Sequence, residues 1–450
     1  MKNPVFRAAG PALDELAEGD IPEYTVHGGD WEEMVSEAEK LAHERVVVNL
    51  GPVHPSTHGV LRLIVELDGE YVREVRVGTG YLHTGIEKNM EYRTFTQGVT
   101  YASRMDYVAS LFNEAGYVAA VDKALGITDK VPERANVIRV MMLELARISS
   151  HLVAIGSAGN ELGGTTLMTI AFRGREEVLR IFELITGLRM NNAYLRPGGV
   201  VQDIPSGATE YIRDLLPRTR RDINELQDIV LANPIFKKRF EGVAYMPMSA
   251  MMAMGMTGPS VRAGGYPLDL RKMQPYFGYE TYDFDVPLAA ESDAYTRTVV
   301  RFNECYESLK IIYQCLDRLD ATEGAPVMVD DPQIAWPAQL SVMGDGQGQS
   351  PEHVREIMGT SMESLIQHFK MVTEGFRIPP CQVTALTEHA KGIMGCHLVS
   401  DGGNRPYRVH FREPSFSNLQ SLSLESEGGT ISDLIVALAS IDPVLGGVDR

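Results

Sequence analysis

The chain has 450 residues, 44% of them hydrophobic and 23% charged, the composition of a globular protein with ample material for a core. Forty-two basic residues stand against sixty acidic ones, a formal net charge of −18, which argues against wrapping nucleic acid or lying electrostatically on an anionic membrane. No uncharged apolar run reaches the roughly 18 residues that a membrane-spanning helix needs. The N-terminus lacks an apolar stretch and is acidic from Asp14, unlike a secretory signal, so a cytoplasmic chain is expected.

Residues 1–44 are polar and acidic, with no sustained apolar period, and read as an extension that packs on a partner or stays mobile. Arg45–Leu50 (RVVVNL) is a β-rich run. Leu61, Leu63, Val65 and Leu67 alternate up to an Asp68-Gly69 turn, after which Tyr71, Arg73, Val75 and Val77 alternate again, predicting a hairpin. Between them, Gly51–Gly59 (GPVHPSTHG) holds two prolines and two glycines, which forbid regular structure.

After Thr79 the pattern turns largely helical. Pro132 opens a helix in which Ile138, Met141, Leu145, Ile148, Leu152 and Ile155 mark one seam, and Gly156 is expected to end it. The same stepping recurs at Val299, Phe302, Tyr306, Leu309, Tyr313 and Leu316, so long helices packed as a bundle are expected. Shorter helical runs fit 172–187, 208–231 and 351–373. The stretch 242–287, rich in Gly, Pro, Met and Tyr, reads as irregular with room for short strands. Its methionines 246, 248, 251, 252, 254 and 256 suit flexible core filling or a partner surface. Residues 376–412 carry β-like runs around Ser400-Asp-Gly-Gly403, and a last helix near 430–440 precedes Asp442-Pro443.

The chemistry-bearing signals are few. Cys305, Cys315, Cys381 and Cys396 form no C-x-x-C pair, which speaks against a zinc or iron–sulfur site built by this chain alone; each reads as a buried small hydrophobe. No G-x-G-x-x-G follows a strand, and neither a Walker loop nor a nucleophile elbow is present, so the chain gives no sign of binding NADH itself. His54 and His58, four apart in a rigid Pro/Gly frame, can present hydrogen bonds or protons at fixed positions, or simply stabilise the turn; a metal would need a third ligand. Tyr101-Ala-Ser-Arg104-Met-Asp106-Tyr107 suits a polar pocket wall or an amphipathic helix start. The apolar, glycine-containing C-terminus, Ile441–Arg450, has the look of a docked tail.

GPVHPSTHGVLRL (51–63), GYLHTGIEKNME (80–91), RMDY (104–107), GYETYDFDVP (278–287), VSDGGNRPYR (399–408), PSFSNLQSL (414–422) and DPVLGGVDR (442–450) together resemble the D-subunit, or 49-kDa, family of respiratory complex I, from about residue 45 to the end. The resemblance implies an α+β fold like that of the large subunit of nickel–iron hydrogenases: an extension (1–44), a small N-terminal β unit with a quinone-site loop (45–78) and a helical and mixed domain (79–450). A hydrogenase itself requires two Cys-x-x-Cys pairs, whereas Val444 and Gly447 stand at the two C-terminal thiolate positions and cannot ligate nickel. Only Thr84-Gly85-Ile86-Glu87 echoes the N-terminal metal motif.

By motif, the family's quinone-binding histidine and tyrosine fall on His58 and Tyr107, 49 residues apart. Supporting positions fall on His54, Glu161, Asp442, Val444 and Arg450. Glu161 stands where the family usually has Asp behind the histidine. Arg104 matches an arginine facing the iron–sulfur cluster of the family's B-type partner. Asn191 occupies a histidine position near that cluster and cannot ionise near neutrality, a departure that fits a low-potential quinone such as menaquinone. The implied function is the quinone-reducing end of a proton-translocating NADH:quinone oxidoreductase. Its substrate is quinone, no metal or cluster is ligated by this chain, and NADH and FMN are bound by other subunits. The implied partners are the iron–sulfur B-subunit, the C- and I-subunits and the membrane H-subunit, with no nucleic acid; the implied location is peripheral, on the cytoplasmic face of the cell membrane. A scaffold without quinone contact is the competing reading.

Overall fold

Three antiparallel strands, β1 (Arg45–Leu50), β2 (Arg62–Asp68) and β3 (Tyr71–Gly78), open the part of the chain that the computed structural model describes: residues 45–331 and 373–450, with 32, 34–36, 334, 362, 366 and 369–370. The expected hairpin is β2–β3, with Gly69 at φ +64° in its turn. The expected alternation is incomplete. Central β2 is buried on both faces, so Ile64 and Glu66 are covered as well as Leu63 and Val65, and Glu66 takes an ion pair from Arg45 at 2.8 Å. The Pro/Gly-rich loop after β1 contains one 3-10 turn, Pro55–Thr57, where regular structure was not expected. The expected extension, 1–44, and the helical run 351–373 lie almost wholly outside the described residues.

The long helices are α1 (Ser110–Leu125), α2 (Glu133–Glu161), α3 (Thr165–Thr186), α4 (Ala208–Leu231) and α5 (Ala294–Ala321). Helix α2 packs on α3 and α5, and α4 packs on the same two, closing a four-helix bundle. Between α3 and α4 the chain makes a short ladder, β4 (Leu195–Arg196) with β5 (Gly199–Val200). All six residues of the predicted α2 seam are buried. Gly156 does not end the helix. An added Cβ there would lie 2.8 Å from Ala171 Cβ, and one at Gly159 would lie 2.6 Å from Leu167, so both glycines let α3 approach α2 closely. The chain instead leaves helical conformation at Leu162 and Gly163, the latter at φ +80°. In α5 the buried face is rotated from the predicted seam: Cys305, Ile312 and Cys315 are fully covered, whereas Tyr306 and Tyr313 lie at its edge. Cys396 is also buried and Cys381 is half-buried, so one of the four cysteines departs from expectation.

The stretch 242–287 forms short helices, Met248–Ala253, Pro259–Ala263 and Leu270–Met273, rather than strands. Buried ion pairs hold them to the bundle. Arg262 reaches Glu304 and Glu388, each at 2.7 Å, and Arg271 reaches Asp269 at 2.7 Å and Glu144 at 3.2 Å. Such partners are invisible to local patterning, and removing one member of a buried pair costs about 3–5 kcal/mol. Met246, Met251 and Met256 form a small core with Val261, in keeping with the filler reading.

The third sheet, β6 (Cys381–His389), β7 (Gly392–Ser400) and β8 (Arg408–Arg412), packs on α1 and surrounds the expected loop at 400–403. The chain ends in α6 (Ile431–Ile441) and α7 (Leu445–Asp449). Residues just before α6 dock on β3, where Val72 N–H donates to Gly429 O at 2.8 Å, so the C-terminus returns to the N-terminal sheet. Among the described residues, no helix is long and apolar enough to cross a membrane.

Candidate functional site

The HPSTH loop is rigid for local reasons. His54 caps the 3-10 turn, its Nδ1 accepting from Ser56 N–H at 3.2 Å, and His58 closes the turn in the left-handed region at φ +56°. His54 is thus turned to holding the loop, while His58 is exposed on the isolated chain. Ser56 Oγ donates to Glu161 at 2.5 Å, tying the loop to the last residue of α2. Crowding of the imidazole lowers the His58 pKa, while Asp442, then Glu161, pull it back upward. Asp442 thus acts more strongly on His58 than Glu161 does.

Tyr107 follows a turn in which Asp106 accepts the N–H groups of Val108 and Ala109 at 2.9 and 3.0 Å. Asp106 is fully buried, and its other oxygen faces Lys391 Nζ at 3.0 Å and His389 Nε2 at 3.4 Å. Burial alone would raise the Asp106 carboxyl, but its partners, the Lys391 ammonium foremost, outweigh it and hold the group below its ordinary range. Tyr107 is 40% exposed, and partial burial together with the negative Asp106 raises its phenol pKa.

The C-terminus meets both segments. Asp442 caps α6 in a left-handed conformation, φ +56°, and lies 3.6 Å from Lys391. Burial raises its carboxyl, opposed by Lys391 and Arg301. Val444 is buried, its N–H donating to Ser415 Oγ at 3.4 Å. Gly446 is required by close approach: a Cβ there would fall 2.4 Å from the Met105 carbonyl and 3.1 Å from the Tyr107 ring. Gly447 packs on Glu413, whose carboxyl burial pushes up to about 7. Asp449 accepts from Gly80 and Leu82 N–H at 2.8 and 2.6 Å, so it anchors the tail through backbone donors. Arg450 pairs with Glu87, at 3.5 Å, donates to the Phe411 carbonyl and lies over the Phe416 ring.

Arg104 is exposed and donates to Thr100 O at 2.6 Å and Ser103 Oγ at 3.2 Å. Asn191 has φ +51° and a buried amide oxygen with no hydrogen-bond partner among the described residues. A cavity of about 10 Å³, room for about one water, is lined by residues 107–111 and by Arg189, Met190 and Asn192, which brings Tyr107 and the start of α1 close to the 189–192 segment. Glu114 of α1 holds this second segment by accepting N–H bonds from Ala193, Tyr194 and Leu195 at 2.7, 2.8 and 3.1 Å.

Lys391 escaped the sequence reading. It sits in the tight β6–β7 turn, where a lysine ordinarily points to water, yet it is buried between two carboxylates. Among the described residues, no cluster of three or more His, Cys, Asp or Glu could hold a metal. The His58 imidazole and the Tyr107 phenol can each donate a hydrogen bond to a carbonyl oxygen.

Residues 161–450 match the family model for the respiratory-chain NADH dehydrogenase 49-kDa subunit. The chain is 58% identical over 436 residues to an NADH-quinone oxidoreductase D-subunit of Streptomyces coelicolor, covering 97% of this chain and 98% of that one. It is 58% identical over 437 residues to the D-subunit of a Nocardioides species (97% and 98% covered). To that of Mycobacteroides abscessus it is 57% identical over 423 residues (94% and 97% covered). With identity of this order along almost the whole chain, the protein belongs to the 49-kDa subunit family of the respiratory-chain NADH dehydrogenase, whose members are subunits of the enzyme NADH-quinone oxidoreductase.

Proposed function

We propose that this chain forms the quinone-reducing end of the complex, with His58 and Tyr107 as the groups that touch the headgroup. The observation that carries the reading is the convergence of the C-terminal segment on both: Gly446 packs against the Tyr107 ring, and the charge of Asp442 acts on His58. Reducing a quinone to a quinol takes two electrons and two protons. Tyr107, with its pKa raised, remains a neutral phenol near pH 7 and donates a hydrogen bond to one carbonyl oxygen. His58, with its pKa lowered, releases a proton readily once it is protonated against Asp442, and so serves the other oxygen as a general acid. Glu161 steadies the loop through Ser56, and His54 does so through the turn. Val444 supplies the apolar wall.

The electrons come from a cluster held by the B-subunit, which we place against Arg104 and Asn191. In this reading the chain lies in the peripheral arm on the cytoplasmic side of the cell membrane, contacting the B-, C-, I- and H-subunits, while NADH and FMN are bound elsewhere. Its fold is that of a hydrogenase large subunit with the metal pocket converted to quinone use. That reading is supported by the bundle and by a docked C-terminus with Val444 and Gly447 at the former thiolate positions. Menaquinone is the quinone that fits Asn191.

The test is Tyr107→Phe in the assembled complex. Loss of one hydrogen bond to a reacting oxygen, about 1.5–3 kcal/mol, slows NADH:quinone turnover by roughly 10- to 100-fold with assembly intact. Wild-type turnover in that variant would favour the scaffold reading.

A further inference from the structure

Lys391 lies behind both proposed quinone contacts. Its Nζ is 3.0 Å from Asp106, the neighbour of Tyr107, and 3.6 Å from Asp442, the acid beside His58. Ser150 of α2 takes a third bond at 2.9 Å. The ammonium therefore joins the turn before α1, the β6–β7 turn, the bundle and the C-terminal segment at one point. A buried cation between two carboxylates leaves net negative charge, and the surroundings adjust it. His389 next to Asp106 stays neutral, its pKa lowered by burial to about 3, and Glu413 holds its proton up to about 7. Arg301 shares the charge of Asp442. Lys391 also acts directly on both contacts, lowering the pKa of His58 and that of Tyr107.

We propose that Lys391 is a positioning residue of the quinone site: its buried ammonium holds Asp106 and Asp442 together and sets how readily His58 gives up its proton. This rests on the quinone reading above. No bond is made or broken at Lys391; the proton moves from His58 to the quinone oxygen. When it leaves, Asp442 loses its imidazolium partner and turns to Lys391, the nearest remaining cation of the cluster. The 3.6 Å spacing, against 3.0 Å to Asp106, leaves the ammonium room to shift between the two.

The experiment measures membranes carrying the assembled complex, quantified by native electrophoresis, with NADH and a short-chain naphthoquinone across pH 5.5–9. Lys391→Met is expected to lower kcat by between about 10- and 100-fold with little change in KM, because alignment and proton affinity change while the binding wall does not. Removing the positive charge while Arg301 keeps Asp442 ionised lets His58 hold its proton longer. The alkaline limb of the rate profile therefore moves up by about one pH unit. Lys391→Arg keeps the charge and is expected to keep the limb in place. Should Lys391→Met fail to assemble, Asp442→Asn carries the test: with the acid gone, the limb moves to lower pH. A Lys391→Met complex, or in its place an Asp442→Asn complex, with wild-type kcat and an unmoved limb would overturn the proposal. His58→Ala and Tyr107→Phe are measured alongside. If they too turn over like wild type, the quinone reading has failed; if they are slow and the Lys391 and Asp442 variants are not, only the role of Lys391 has failed.

Discussion

Asn191 shows how a single side chain sets what the site can do. Its left-handed backbone suits asparagine, and histidine also tolerates that region, so the position accepts either residue. An amide neither gains nor loses a proton near neutrality. With the proposed placement beside the partner's cluster, the cluster midpoint is expected to be nearly independent of pH between 6 and 8. Asn191→His is expected to steepen it toward about 59 mV per pH unit, the limit of one proton per electron. A redox titration of the assembled complex decides this: a full slope in the wild-type protein, or none in the variant, would refute it. At this scale His58, Tyr107, Asp442 and Glu161 could be named from the sequence because the motifs that resemble the family are local. Lys391 and Glu114 were not, because their partners lie far away in the chain, at Asp442 and at residues 193–195.

Among the elements, the α2–α3 pair depends most plainly on small residues. A glycine inside a helix costs about 1 kcal/mol relative to alanine, and here the loss is offset by close packing. Gly159→Val would drive a side chain into Leu167, whose carbons already stand 2.6–2.7 Å from a bare Cβ. Overpacking of that kind is expected to lower stability by about 1–3 kcal/mol. It would also disturb Glu161, two residues on, and with it the Ser56 bond that holds the HPSTH loop. Thermal melting of the variant beside wild type measures the first effect; an unchanged midpoint would mean that α3 shifts at no cost. The same glycines explain why the helix runs past its expected end. A glycine near the end of an apolar seam looks like a stop signal, and only the neighbouring helix reveals it as a contact.

The whole molecule carries an unusual load of buried charge, and its acid response follows from opposing groups. His151 and His389 are kept neutral by burial, with pKa values lowered to about 4 and about 3 from an ordinary 6.5. Below pH 6.5 the unfolded chain binds their protons and the folded chain does not, so these two lose stability as pH falls toward 3. Glu114 and Glu413 are raised to about 7 from an ordinary 4.5, so the folded form binds protons more tightly between 4.5 and 7, and acidification there adds stability. The two pairs oppose each other from about pH 6.5 to 4.5. Below that, the lowered carboxyls of Asp106, Glu144 and Glu304 join the histidines, since each loses stability once it must be protonated. The purified protein is therefore expected to show a nearly flat melting temperature from pH 6.5 to 4.5 and a steep fall below. A steady decline beginning at pH 6.5 would show that the glutamates do not compensate.

Strand, turn and helix assignments such as Arg45–Leu50, the Asp68-Gly69 hairpin, 208–231 and the last helix were written in short-range periodicity and in glycine and proline, which act through local backbone sterics. Family membership was equally legible, because long motifs occur in one order. The short helices of 242–287, the rotated face of α5 and the Asp106–Lys391–Asp442 cluster were decided only by tertiary structure. The reason is physical: burying an ion is costly unless a counter-charge meets it. Whether Arg262 or Lys391 meets one depends on residues more than forty positions away, which no local pattern encodes.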